Sequence, residues 1–188
     1  MVRVAKIQDV PEIVAIYSQF VVNSVSTFEY TVPTEEAFRQ RFLSITGQFP
    51  WLVWEEDGKI TGYAYASAPF TRAAYSWCAE ASIYLDPNAQ GRGIGNALYR
   101  VLERILIAQG YQVVYALISE NNERSLHFHV KNGYNQVGFL PKCGYKFERW
   151  IGLHWLEKRL NFVENPSSCP TPWSEIIQNE QITPLILI

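Results

Sequence analysis

The sequence has few cysteines, little net charge and few long apolar runs, and each of these shortages excludes a class of protein. Its three cysteines, Cys78, Cys143 and Cys169, are odd in number and far apart, so they suit neither a disulfide framework nor a metal site. The net charge is only −2 and no block of like charges occurs, so nothing favours nucleic acid or an anionic membrane surface as a partner. The first residues, 1–6, form no apolar stretch long enough for a signal peptide or a membrane anchor. We therefore expect a cytoplasmic protein without a metal ion.

The composition is typical of one globular domain with an attached tail. Apolar residues make up 48% and charged residues 18% of the 188 residues, which is enough to build a core and unlike a disordered chain. The stretch 163–188 differs, because four prolines interrupt it and it ends in the apolar run 185–188. We predict a domain over 1–162 and an extension over 163–188 that packs on the domain or on a partner chain.

Periodic apolar residues and turn signals predict the order of helices and strands. Asp57-Gly58 marks a hairpin between two of the strands. The predicted strands lie around 2–4, 51–55, 60–68, 77–85, 113–118, 134–140 and 150–160. The predicted helices begin near Val10, Pro33, Ile94 and Asn122. Helices come early and strands cluster in the middle, which predicts an α+β or mixed α/β domain with a largely antiparallel, twisted sheet flanked by helices.

One strand–loop–helix unit carries most of the chemistry that the sequence suggests. The strand ends at Leu85, and the glycines Gly91, Gly93 and Gly95 then precede a long apolar-periodic helix. Glycines let the backbone turn tightly and bring its N–H groups close to a ligand. The helix adds unpaired N–H groups and its positive dipole end, and Arg92 adds charge, so a diphosphate suits the loop. The alternative is a glycine-rich turn that only joins the strand to the helix.

The spacing of these glycines fits neither a Walker loop nor a dinucleotide fingerprint. Gln90, Gly93 and Gly95 match instead the pattern Gln/Arg-x-x-Gly-x-Gly/Ala, and Asn122 and Ser125 match Asn-x-x-Ser/Ala before a short helix. Both patterns resemble the GNAT superfamily of N-acetyltransferases, in which this helix runs beside the pantetheine arm of coenzyme A. The resemblance implies acetyl-CoA as the cosubstrate. The implied cofactor-binding residues are Ile83, Tyr84, Leu85, Gln90, Gly91, Arg92, Gly93, Ile94, Gly95, Asn96, Asn122 and Ser125.

Two side chains near this unit are candidates for proton transfer. Glu80 lies in the otherwise apolar segment 77–81, where burial raises the pKa of a carboxyl group toward neutrality and suits a general base. The alternative is an acid that turns to solvent or pairs with an arginine. His129 follows Asn122 by seven positions, and its alternative is a hydrogen-bonded, half-buried histidine without a catalytic role.

Four separate blocks, spread over about 2–160, resemble the phosphinothricin and methionine sulfoximine (sulfone) acetyltransferase branch of this superfamily. The blocks are 75–84, the glycine loop, 125–129 and 144–150. In that branch the residues that match Glu80 and His129 are the proposed proton-transfer residues. The resemblance therefore implies Glu80 as general base and His129 as the acid that protonates the departing thiolate.

The same resemblance suggests where the substrate binds. Arg72 stands at the place of an arginine that helps to hold the substrate acid, although it could equally be a solvated loop arginine. Phe28 and Tyr30 are suggested as walls of the substrate pocket, with the hydrophobic core as the alternative. Phe70 occupies a position where the branch often has a basic residue, which puts a strict preference for phosphinothricin in doubt.

These patterns predict an acetyl-CoA-dependent N-acetyltransferase that acts by direct transfer on a small, amino acid-like amine. Phosphinothricin, methionine sulfoximine and methionine sulfone are the implied substrates, and the branch implies a homodimer. One alternative is the same fold acting on a protein N-terminus or a polyamine. Another is a non-catalytic module that binds acetyl-CoA and releases no coenzyme A with any amine.

Overall fold

The computed structural model describes residues 1–178, so the predicted packing of the apolar run 185–188 lies outside the described residues. Within them, one sheet has the strand order β1-β2-β3-β4-β5-β7-β6, and all neighbours are antiparallel except β4 and β5. The strands are β1 Val2–Val4, β2 Trp51–Glu56, β3 Lys59–Ser67, β4 Cys78–Leu85, β5 Val113–Ser119, β6 Asn135–Lys146 and β7 Arg149–Arg159. The helices are α1 Val10–Asn23, α2 Glu35–Thr46, α3 Ile94–Gln109, α4 Glu123–Lys131 and α5 Trp173–Ile176.

Helices cover both faces of the sheet, so the core has two parts. On one face, Leu98 and Leu102 of α3 pack in the same cluster as Val114 and Ala116 of β5. On the other face, α1 and α2 cover aromatic residues of β2 and β3, including Trp51. The predicted mixed α/β fold with a largely antiparallel sheet is confirmed.

Strands β4 and β5 pair only at their beginnings. Cys78–Glu80 pairs with Val113–Tyr115, whereas β4 continues to Leu85 and β5 continues to Ser119. Beyond the pairing, each strand keeps backbone groups on the edge that faces the other strand, and these groups need partners from elsewhere. The sheet therefore opens into a split at its centre, and Glu80 stands where the split begins.

The hairpin of β6 and β7 is longer than predicted. The prediction ended β6 at Leu140, whereas the strand continues to Lys146. A register shift lies between Leu140 and Gly144, and Lys142 has a positive φ of 50° within it. This bulge breaks the alternation of side chains that a sequence pattern can detect, and pairing then resumes between Gly144 and Ile151.

The described part of the extension packs on its own domain. Trp173 is buried, and its backbone N–H donates to the backbone carbonyl of Gln48 at 3.1 Å. The side chain of Gln109, at the end of α3, donates to the carbonyl of Thr171 at 2.9 Å. No helix within residues 1–178 has both the length and the apolar character needed to span a bilayer.

Candidate active site

A cavity of about 350 Å³ fills the split between β4 and β5. Its walls come from β4 after the pairing ends, the glycine loop, the first turns of α3 and α4, the end of β5 and the α1–α2 loop. Thirteen residues predicted from the sequence line it. They are Glu80, Ile83, Tyr84, Leu85, Gln90, Gly91, Gly93, Ile94, Gly95, Asn96, Asn122, Ser125 and His129. Four predicted residues do not line it: Arg92, Arg72, Phe28 and Tyr30.

The glycine loop has the backbone geometry of an anion cradle. Gly91 and Gly93 have φ values of 77° and 83°, which other residues rarely adopt. Gly93 is the N-cap of α3, so the unpaired N–H groups and the dipole of this 16-residue helix face the loop. A Cβ atom built on Gly93 would meet no atom within 4 Å, so the space in front of the helix is open to a ligand.

The guanidinium beside this cradle belongs to Arg124 and not to Arg92. Arg92 pairs with Glu56 at 2.6 Å and does not line the cavity. Arg124, in the first turn of α4, donates to the side-chain oxygen of Gln90 and lies 4.0 Å from a Cβ built on Gly91. Sequence patterns do not indicate Arg124, because its proximity to the loop depends on how α4 packs beside α3.

Glu80 has the environment of a general base. Its carboxylate has no ion-pair partner within 4.0 Å among residues 1–178, so the predicted alternative of an arginine partner is not seen there. Burial raises the pKa of Glu80 above its ordinary value. The side chain is therefore a stronger proton acceptor than an exposed carboxylate, and it lines the cavity.

His129 is buried and neutral near pH 7. Its Nδ1 lies 2.7 Å from the backbone carbonyl of Ser125, and because a carbonyl only accepts, Nδ1 carries the proton. Its Nε2 therefore accepts from the hydroxyl of Tyr99, at 2.8 Å. Burial lowers the pKa of His129 to about 4. Tyr99 also lines the cavity, and sequence reasoning missed it because it lies on the apolar face of α3.

Asn122 acts as the cap of α4. Its side-chain oxygen accepts the N–H of Ser125 at 3.2 Å, and its amide donates to the hydroxyl of Ser26 at 3.1 Å. The cap fixes the entry of α4 and ties the α1–α2 loop to the rim of the cavity. Both polar atoms of the Asn122 side chain are engaged, so it shapes the site mainly by holding its walls.

The three residues predicted to bind substrate lie outside the cavity. Phe28 packs against Gly144, and the Tyr30 hydroxyl donates to the carbonyl of Tyr145, so both rest on the β6–β7 hairpin. The buried Lys146 holds the same loop through the carbonyls of Ser24 and Thr27, each at 2.8 Å. Arg72 is exposed in the loop before β4.

The buried neutral state of His129 gives a prediction for stability. The folded protein holds this histidine at a pKa of about 4, whereas an unfolded chain protonates it near 6.5. Between these values the unfolded state binds an extra proton, so stability falls as the pH drops from 6.5 to 4. We expect the free energy of unfolding to fall by up to about 3 kcal/mol through His129 alone as the pH is lowered over that interval. Urea unfolding at a series of pH values measures it.

The control for this prediction is His127, which is exposed on the same helix. His129→Asn should flatten the pH dependence of the unfolding free energy, and His127→Asn should leave it as in the wild type. Identical pH dependence in the two variants would contradict a buried, neutral His129.

The split sheet, the glycine loop and the cavity between them are the features of one enzyme class. The chain matches the acetyltransferase (GNAT) domain over residues 2–155 and belongs to the GNAT family of N-acetyltransferases. This confirms the superfamily predicted from the glycine loop and from the Asn122 block.

The relatives also confirm the predicted branch. The chain is 36% identical to a phosphinothricin N-acetyltransferase of Alcaligenes faecalis over 164 residues, covering 85% of this chain and 82% of that protein. It is 30% identical to an L-methionine sulfoximine/L-methionine sulfone acetyltransferase of Pseudomonas aeruginosa, covering 85% and 94%. The crystal structure of a phosphinothricin acetyltransferase from Sinorhizobium meliloti in complex with acetyl-CoA matches with a TM-score of 0.84 and 36% identity, covering 91% and 92%.

Proposed function

We propose that this protein transfers the acetyl group of acetyl-CoA to the amino group of a small, amino acid-like substrate. Phosphinothricin, methionine sulfoximine and methionine sulfone are the reference substrates, because relatives at 30% to 36% identity carry those names. The observation that carries the proposal is the cavity in the β4–β5 split, which brings a buried carboxylate and an anion cradle to one place.

The cradle suits the diphosphate of acetyl-CoA. The N–H groups of 91–95 and the start of α3 would bind its oxygens, with Arg124 as the nearby cation. The backbone of 83–85 lies on the edge of β4 that is not paired with β5. It would bind the pantetheine arm through backbone hydrogen bonds, as an added strand pairs with the edge of a sheet. This strand edge leads from the loop beyond Leu85 back toward Glu80, where the split begins, so the thioester would lie near the carboxylate.

Transfer then proceeds without an acyl-enzyme. Glu80 takes a proton from the substrate ammonium, directly or through a water, and the free amine attacks the thioester carbonyl. Backbone N–H groups of 83–85 polarise that carbonyl. A carbon–nitrogen bond forms, the carbon–sulfur bond breaks and sulfur leaves with the electron pair. The attacking nitrogen loses a second proton as the amide forms, and this balances the one proton that the departing thiolate takes up. His129 is the proposed donor to the thiolate, a role in which its neutral ring must first gain that proton.

An amine panel tests this function. The purified protein with acetyl-CoA should release coenzyme A in the presence of methionine sulfone, methionine sulfoximine or another α-amino acid, and simple polyamines should be poor substrates. If no amine in the panel causes the release of coenzyme A although acetyl-CoA binds tightly, the protein is a non-catalytic binding module instead.

The position of Arg124 predicts a selective loss of cofactor affinity. Arg124→Ala should weaken acetyl-CoA binding by roughly ten- to a hundredfold, because a charge-assisted contact to phosphate is worth about 1.5–3 kcal/mol. Arg92→Ala should change the affinity much less, since Arg92 faces Glu56. Calorimetric titration of both variants gives the comparison, and a larger loss in Arg92→Ala would refute this arrangement of the cradle.

We also propose that the protein is a cytoplasmic homodimer. The tip of the β6–β7 hairpin exposes large apolar side chains, with Tyr145 47%, Phe147 50% and Trp150 60% exposed. Sedimentation at micromolar concentration should show a dimer, and Trp150→Glu should shift it toward monomer. A wild-type monomer under these conditions would contradict the proposal.

A further inference from the structure

A second cavity, of about 240 Å³, opens next to the proposed base. It is lined by Tyr115, Val137, Gly138, Leu140, Trp155 and Glu157. Tyr115 is the Cα partner of Glu80 in the β4–β5 pair, and directly paired residues project from the same face of a sheet. The cavity therefore lies on the face from which the Glu80 carboxylate projects.

The loop between β3 and β4 completes an aromatic wall at this cavity. The ring of Phe70 stacks on Trp155, with centroids 5.8 Å apart and an angle of 19° between the planes. The same ring lies 4.4 Å from the ring of Tyr75 and 6.2 Å from that of Tyr115. Rings at such distances form a rigid apolar surface that can cover an apolar side chain of a ligand. We refer to Phe70, Tyr75, Tyr115 and Trp155 as the aromatic wall.

The charges around the wall disfavour an anionic side chain. Glu157 contributes a carboxylate to the cavity, and its ion-pair partner Arg159 is exposed, 3.4 Å away. No lysine or arginine lines this cavity among the described residues. Arg72 lies two residues after Phe70 and has no ion-pair partner within 4.0 Å in residues 1–178. One guanidinium can hold an α-carboxylate, but the wall offers no second cation for a second negative group.

We propose that the substrate is an α-amino acid with a neutral, apolar side chain, and that Phe70 determines this specificity. The inference rests on the proposed function. The amino group meets Glu80, the α-carboxylate is held by Arg72, and the side chain packs on the aromatic wall. L-Phenylalanine, L-leucine and L-methionine fit this description, whereas the phosphinate of phosphinothricin adds a second negative charge close to Glu157.

Steady-state kinetics on the wild type test the inference directly. The kcat/KM for L-phenylalanine or L-methionine should exceed that for phosphinothricin by tenfold or more, which is the scale of discrimination that an apolar pocket gives. Phe70→Lys should lower this ratio by tenfold or more, mainly through changes in the KM of the apolar amino acid and in the KM of phosphinothricin. The KM for acetyl-CoA should stay the same, because Phe70 lies outside the cofactor cavity.

Phe139→Lys is the matched control. Phe139 is 40% exposed, and its ring centroid lies 4.9 Å from that of His154. It lines neither cavity. This variant should keep the wild-type ratio. A wild type that prefers phosphinothricin, or a Phe70→Lys variant with an unchanged ratio, would overturn the inference. If Phe70→Lys does not fold, the wild-type preference alone decides. Acetylation of no amino acid at all would instead contradict the proposed function.

Discussion

Glu80→Gln is expected to lower kcat/KM by roughly 10²–10⁴-fold, the usual contribution of a general base, while acetyl-CoA affinity stays at the wild-type value. Glutamine keeps the shape of the side chain but cannot accept the ammonium proton. Burial raises the pKa of Glu80, so the wild-type rate should fall on the acidic side at a pH above the ordinary range of a glutamate. That acidic limb should move or vanish in the variant, as a pH profile of kcat/KM will show.

Glu103→Gln is the matched control for this prediction. The Glu103 side chain, one turn after Tyr99 on α3, is only 16% exposed, pairs with Lys158 at 2.6 Å and does not line the cavity. The control should keep both the rate and the pH profile. If Glu80→Gln keeps them as well, Glu80 is a structural acid, and the base must be sought elsewhere in the cavity.

Gly93→Val is expected to weaken acetyl-CoA binding by about tenfold or more. Valine is strained at a φ of 83°, so the backbone must move, and the N–H groups at the start of α3 lose their alignment with the phosphates. A Cβ on Gly93 meets no protein atom within 4 Å, so crowding within the protein is not the cause. Calorimetric titration with acetyl-CoA measures the effect.

Gly58→Val separates strain from ligand binding. Gly58 has a φ of 74° in the β2–β3 turn, and a Cβ there also meets nothing within 4 Å. Both variants should lose similar stability, but only Gly93→Val should lose cofactor affinity. A folded Gly93→Val protein with wild-type affinity for acetyl-CoA would show that the diphosphate does not bind at this loop.

The sequence predicted the parts of the site that depend on local pattern. The strand up to Leu85, the glycine loop and the helix after it follow from apolar periodicity and from glycine's tolerance of positive φ, and the structure has each of them. The sheet class followed from the order of elements. Thirteen of the predicted site residues line one cavity, because most of them belong to this single unit and its neighbouring helix.

The parts that depend on tertiary packing could not be predicted in this way. Arg124 reaches the cradle because of how α4 packs, and Arg92 pairs with Glu56 instead of lining the cavity. Tyr99 reads as a core residue of α3, and only the structure shows its hydroxyl on His129.

Identification of the reaction products is the sharpest test of acetyl transfer to an amino acid-like amine. The protein is incubated with acetyl-CoA that carries ¹³C in its acetyl group and, in separate samples, with methionine sulfone, phosphinothricin and L-methionine, and the products are followed by NMR and mass spectrometry. We expect one labelled N-acetyl amino acid for each coenzyme A released, and a loss of both products in Glu80→Gln. Coenzyme A released without a labelled amide, or no release despite bound acetyl-CoA, would contradict an N-acetyltransferase of amino acid-like substrates.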